Sequence, residues 1–308
     1  MLREADFSSL QGLALTARRL VEGLYGGAHA SLHRGPGVEF HDYRSYCPGD
    51  DPRKLDWRLF GRTDRLYVRR DRWFTDLHAY VMVDCTASMG FSAIGDGAVS
   101  GSSTAAVSKL RCAATLAAAI AFLAVRQSDR VGLGLFSNRL HQHLPIGGTW
   151  PGLLRCCHAL EQAEPIPGPG DVGASLRQAH GLLKRRGLVV LISDLLDDPN
   201  GPGGLFDAMD LLRHDHFELI VFQILTPQEL DLGRIGTSRL QLVDAETRRQ
   251  VPTDVAHVRG RYAKLMQRHV ETLRHGCVAR GADHQLIGTG EPLMPALRRY
   301  LMRRTRMT

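Results

Sequence analysis

The stretch Val81-Met82-Val83-Asp84-Cys85-Thr86-Ala87-Ser88-Met89-Gly90 decides how the rest of the chain is read. The apolar run from Ala79 to Val83 carries the β-branched residues that suit a buried strand, and it stops at an acid followed by small hydroxyl residues. In an open parallel sheet the strand-to-helix loops gather at the carboxyl edge, so that edge is where ligands bind. Asp84, Thr86 and Ser88 alternate, and an extended loop can turn all three oxygens towards one point. Hard oxygen donors of this kind suit magnesium or manganese better than imidazole-loving metals. The plainer alternative is a strand-end acid that caps the turn behind it.

Working outward, the chain repeats the same unit. An alanine- and leucine-rich helix over 104–127 leads into a strand over 131–136, which predicts strand, helix, strand. An edge strand or hairpin follows at 141–145, and helices at 152–162 and 172–185. Leu188-Val189-Val190-Leu191-Ile192 reads as a second fully apolar strand, and it too ends in acids, Ser193-Asp194-Leu195-Leu196-Asp197. A helix at 203–214, a strand at 217–225, a turn at 226–229, a small hairpin pairing 240–243 with 249–251, a helix at 254–274, a strand at 283–287 and a basic helix from Pro292 complete the pattern. The expected class is α/β, an open, mostly parallel sheet flanked by helices. Ahead of it, Leu10, Leu13, Ala17, Leu20, Val21 and Leu24 recur at helical spacing and predict an amphipathic helix.

Composition narrows the functions available. The 308 residues are 44% hydrophobic, enough for a sizeable core, and no apolar run is long enough to span a bilayer. The first residues lack the pattern of a signal peptide, so a soluble cytoplasmic protein is expected. The six cysteines show no Cys-x-x-Cys spacing, which points to reduced structural thiols rather than zinc ligands. His141 with His143 and His214 with His216 lack the partners of a zinc site. The net charge of +7 can steer acidic partners, but no nucleic-acid motif accompanies the basic clusters. The arginines from Arg298 to Arg306 are read as a solvated face. Gly95 to Ser103 has linker composition and is read as a mobile excursion beside the strand-end oxygens.

Between Glu39 and Arg58 the character changes, with acids and bases interleaved among Phe40, Tyr43, Tyr46 and Trp57. Arg44, Arg53 and Arg58 can make bidentate pairs with Asp42, Asp50, Asp51 and Asp56, giving a rigid polar lattice. That lattice can be self-satisfied, or it can present Arg44, Asp50, Asp51, Arg53, Asp56 and Trp57 to a partner. The run Gly35-Pro36-Gly37-Val38-Glu39-Phe40-His41-Asp42-Tyr43-Arg44-Ser45-Tyr46-Cys47-Pro48-Gly49-Asp50-Asp51-Pro52-Arg53-Lys54-Leu55-Asp56-Trp57-Arg58 resembles the signature of the DUF58 family. Members combine such a segment with a von Willebrand factor A-like domain. The resemblance divides the chain into residues 1–76, the helix and signature segment, and 77–308, the von Willebrand A-like (Rossmann-like) domain.

The Asp-x-Thr-x-Ser of Asp84, Thr86 and Ser88 resembles that domain's metal-ion-dependent adhesion site (MIDAS). The resemblance implies Mg2+ or Mn2+ held by Asp84, Thr86 and Ser88, with Asp194 as the acid of the third loop. The second loop departs from the pattern, because Gly170 stands where a threonine is usual. Asp171 beside it can bind the ion directly or through water, or can cap its helix. An open coordination position on the ion would take a carboxylate from another protein. The resemblance also implies a MoxR-type AAA+ ATPase as partner, in chaperone-like assembly or maturation of client proteins. Two other classes compete with this adaptor reading. A haloacid-dehalogenase-like phosphatase also starts at a strand-end aspartate, but it carries a second acid two residues on, where this chain has Thr86. A basic nucleic-acid-binding module would use the terminal helix, and its binding would be steeply salt-dependent. The sequence favours a non-catalytic module with no membrane span and without a nucleic-acid partner.

Overall fold

The computed structural model describes residues 12–26, 40–47, 55, 57–71, 77–92, 107–199, 204–235, 239–246 and 248–307. In chain order its elements are α1 (Leu13–Gly26), β1 (Phe40–Ser45), α2 (Trp57–Thr63), β2 (Tyr67–Asp71), β3 (His78–Asp84), α3 (Lys109–Arg126), β4 (Arg130–Phe136), β5 (Leu140–Gly147) and α4 (Trp150–Glu161). There follow α5 (Val172–Leu182), β6 (Leu188–Ser193), α6 (Leu205–His214), β7 (Glu218–Leu225), α7 (Pro227–Leu230), β8 (Arg239–Val243), β9 (Gln250–Asp254), α8 (Val255–Ala279), β10 (Asp283–Gly288) and α9 (Met294–Met307).

Six strands form the central sheet in the order β10-β7-β6-β3-β4-β5, and β1-β2 and β8-β9 are separate antiparallel pairs. Every pairing in the central sheet is parallel except β4 with β5. The expected open, mostly parallel, von Willebrand A-like sheet is thus present, with the strand carrying Asp84 at its middle. A central parallel strand is covered on both faces, and β3 shows why its sequence had to be apolar throughout. Ala79, Val81 and Val83 enter the apolar cluster made with α1, α3, α4 and α9, whereas Tyr80 and Met82 enter the one made with α5, α6 and α8.

Alanine spacing lets α3 lie close to the sheet. Ala113, Ala117, Ala118 and Ala124 are buried along its length among Leu116, Ile120 and Leu123. Each such leucine or isoleucine contributes roughly 1.5–3 kcal/mol by leaving water. On the other face, Tyr80 lies across β4, where two glycines leave room for its ring. A Cβ on Gly132 would come within 2.8 Å of Tyr80 Cδ2, and one on Gly134 within 2.8 Å of Tyr80 Oη. The Tyr80 hydroxyl then meets His143 Nδ1 on β5 at 2.6 Å.

In the signature segment β1 pairs with β2, and Trp57 opens a helix. Three expectations change. The expected turn after β7 is the short helix α7, closed by a capping box in which Thr226 and Glu229 satisfy each other's backbone. The helix read as 254–274 continues to Ala279. The terminal arginines are not all solvated. Arg304 grips buried Asp129, Arg303 pairs with Glu218 at 2.5 Å, and Arg299 donates to the His284 carbonyl at 2.9 Å, so charge docks α9 onto the sheet. The loop from Gly95 to Ser103 lies outside the described residues.

Candidate functional site

The site grows from the ends of β3 and β6, which are neighbours in the sheet. Asp84, 1% exposed, accepts from its own loop and from the adjacent strand. The Thr86 N–H donates to Oδ1 at 2.8 Å, and the Ser193 hydroxyl donates to Oδ2 at 2.5 Å. Burial and the neighbouring Asp194 charge push the Asp84 carboxyl up to about 7, against the lowering effect of these bonds. Ser193 also accepts from the Leu195 N–H at 3.0 Å, so one hydroxyl ties both loops together. The backbone around Asp84 is clamped as well. The Cys85 N–H donates to the Phe136 carbonyl, and the Ile166 N–H donates to the Cys85 carbonyl, each at 2.7 Å. Thr86 Oγ1 and Ser88 Oγ lie 3.0 Å apart, so the alternating hydroxyls do converge.

Asp194 is held by a different device. Lys109, the first residue of α3 and 0% exposed, donates to Asp194 Oδ2 at 2.7 Å and to Glu229 Oε1 at 2.6 Å. The other oxygen of Glu229 accepts from the Thr226 N–H at 2.7 Å and from its hydroxyl at 3.0 Å. Both carboxylates raise the Lys109 pKa against the lowering effect of burial. The Lys109 N–H bonds the Phe91 carbonyl at 3.0 Å, which fastens α3 to the end of the hydroxyl loop. The backbone of Asp194 is held separately, by Gln223 Nε2 at 3.0 Å. Leu195 then turns the chain with φ of 50°, a left-handed conformation that costs a non-glycine residue about 1–3 kcal/mol, and His269 meets its carbonyl at 2.6 Å.

The second loop contributes backbone and one acid. Asp171 Oδ1 accepts from the Ala174 N–H at 2.7 Å, which makes this residue the N-cap of α5. A Cβ at Gly170 would fall 2.7 Å from the Thr86 methyl group, so the glycine and Thr86 fill one space between them. The Gly170 N–H donates to Glu246 Oε2 at 3.3 Å. Beside this contact lies a cavity of about 200 Å³ lined by Gly170, Asp171, Leu195, Asp197, Asp198 and Leu273. Partial burial, with the charges of Asp194 and Asp171 beside it, raises the carboxyl of the otherwise exposed Asp197 above the ordinary range.

The chain order therefore brings Asp84, Thr86, Ser88 and Asp194 into one neighbourhood, with Asp171 at its rim. Lys109, Glu229, Ser193 and Glu246 were not singled out from the sequence. The donor set does not fit the Mg2+ or Mn2+ that the resemblance implies. Octahedral magnesium needs several free oxygens in fixed directions. Here Asp194 already holds an ammonium, both Asp84 oxygens accept protein hydrogens, and Gly170 supplies no hydroxyl. Its side-chain space is taken by the Thr86 methyl. Among the described residues, no group of three or more His, Cys, Asp or Glu side chains is arranged to hold a metal ion.

Of the residues read as a partner-binding lattice, Asp50, Asp51, Arg53 and Asp56 lie outside the described residues. Arg44 is placed as backbone in β1, where it pairs with Val68, and its side chain is likewise outside them. Trp57 is 63% exposed and meets Phe60 edge-on, ring centroids 6.3 Å apart.

The central, mostly parallel sheet, with acids and hydroxyls at the ends of its middle strands, has a von Willebrand A-like fold, and the chain as a whole can be placed more closely. It belongs to the DUF58 family, described as "Protein of unknown function DUF58", whose model matches residues 42–272. It is 30% identical over 288 residues to the uncharacterized proteins Rv1480 of Mycobacterium tuberculosis and Mb1516 of Mycobacterium bovis, covering 88% of this chain and 82% of each relative. Among solved structures it is similar to the conserved hypothetical protein BatB from Bacteroides thetaiotaomicron. There the TM-score is 0.47 and the identity 13%, over 75% of this chain and 99% of that one. It is also similar to the SpRpn10 VWA domain, with a TM-score of 0.40 and 11% identity, over 72% of this chain and 94% of that one. No described helix is long and apolar enough to cross a membrane.

Proposed function

We propose that this protein is a non-catalytic protein-interaction module that recognises partners with the loops at the carboxyl edge of its central sheet. The observation that carries this reading is the contrast between the strand-end acids and their rim. Asp84 and Asp194 are buried and engaged by internal donors, whereas Asp171 and Asp197 stand exposed around a cavity. Buried charges so satisfied make a stiff platform, and exposed loops on a stiff platform are suited to recognition. A nucleophilic Asp84, as the phosphatase reading requires, would have to attack from a carboxylate that is 1% exposed and already accepts from the Thr86 N–H and the Ser193 hydroxyl.

The family resemblance supports the finer reading, an adaptor working with a MoxR-type AAA+ ATPase in chaperone-like assembly of client proteins. Biolayer interferometry between this chain and the MoxR-type ATPase of the same organism tests it. Wild-type protein should bind saturably, and Asp197→Lys should weaken binding by about tenfold, the effect of reversing one charge at the rim of an interface. Failure of the wild-type chain to bind would remove the ATPase as partner. Turnover of p-nitrophenyl phosphate that disappears in Asp84→Asn would replace the module reading with the phosphatase.

A further inference from the structure

We propose that Lys109 is the resident cation of this site, an internal ammonium serving the acids that an adhesion-type ion would otherwise serve, so that partner recognition is independent of divalent metal. This goes beyond the interaction-module reading and does not depend on which partner is bound.

The geometry is specific. Lys109 is fully buried and lies 2.7 Å from Asp194 and 2.6 Å from Glu229, so a single positive charge spans two carboxylates from different loops. Neither acid is free to leave. Glu229 is locked by the Thr226 N–H and hydroxyl, and the Asp194 backbone by Gln223. The backbone of Lys109 is tied to Phe91, so the ammonium is anchored to the loop that carries Thr86 and Ser88. A divalent ion bound to Asp194 would have to expel a buried ammonium from its two partners or place a second positive charge beside it, and both are costly in a low-dielectric interior. Gly170 completes the exchange. The loop that lacks a threonine ligand is packed against the Thr86 methyl, which leaves no space for one.

Calorimetric titration of MnCl2 and MgCl2 into the full chain, wild type and Lys109→Met, tests the proposal. Wild-type protein should show no saturable uptake, and Lys109→Met should gain one ion with an affinity at least about tenfold above any wild-type uptake. That gain should vanish when Asp194→Asn is added. Saturable wild-type binding that is lost in Asp84→Asn, or no gain in folded Lys109→Met, would overturn it. Lys109→Met combined with Glu229→Gln removes one charge of each sign and serves if the single variant does not fold. If neither folds, the wild type decides alone: no saturable uptake supports the proposal, and saturable uptake overturns it.

Discussion

Asp84 and Asp194 end adjacent strands and face the same problem, a carboxylate with little access to water, and the molecule solves it twice by opposite means. Asp84 is surrounded by neutral donors, one amide and one hydroxyl, and its carboxyl is pushed towards the protonated form. Asp194 is met by a full positive charge drawn from a helix that starts 85 residues earlier. The difference shows that equivalent positions in a sheet need not be equivalent in charge. One half of the site keeps its acid by making ionisation difficult, and the other half by paying for it with an ammonium.

The largest test of this contrast is to remove the ammonium. Lys109→Ala leaves Asp194 and Glu229 facing each other without a cation, and unfolding by urea should show a loss of about 3–5 kcal/mol, the usual penalty for breaking a buried pair from one side. Lys109→Ala stability within about 1 kcal/mol of wild type would erase the distinction between the two acids.

Asp84 should respond to pH rather than to charge removal. Its folded carboxyl titrates near 7 and its unfolded one near the ordinary 3.8, so between those values the folded state holds the extra proton. Its contribution to stability is therefore greatest on the acid side of that window and falls as pH rises through it, by on the order of 4 kcal/mol. Asp84→Asn should flatten this part of a Tm-against-pH profile. An unchanged slope would assign the pH dependence to another group.

Gly170→Thr, which restores the hydroxyl of the adhesion pattern, should cost about 1–2 kcal/mol by crowding the Thr86 methyl. Thr86→Ser should recover part of that loss in a double-mutant cycle, and strict additivity would show that the two positions do not share space. Smallest is Thr226→Ala. Loss of the cap that steadies Glu229 should lower stability by about 1 kcal/mol, and a calorimetric Tm unmoved by it would mean that Lys109 alone fixes the glutamate.

How much of this was legible in the sequence follows from range. Apolar runs of β-branched residues report burial on both faces of a strand, so β3, β6 and β7, with the acids that end β3 and β6, could be placed without a structure. Asp171 reads from the sequence as either ligand or cap, and its Oδ1 accepts the Ala174 N–H as the N-cap of α5. Lys109 was invisible because its partners are 85 and 120 residues away. One local signal existed. A cation in the first turn of α3 opposes the helix dipole, and such a residue needs an anion from elsewhere to justify its place. Of the β1-β2 pair only a short strand at 66–68 is read from the sequence, since its charged and aromatic residues give no clean alternation.

The antiparallel strand β5 carries one more consequence. It borders the sheet, and between Val131 and Leu133 of β4 its pairing jumps from Gly147 to Leu144, so one extra residue is inserted where Pro145 and Ile146 lie. Proline has no N–H to offer a newcomer, and a bulge twists the ribbon away from a straight template. This flank is thereby blunted against fibre-like growth, and a second chain cannot easily extend the sheet there by strand addition.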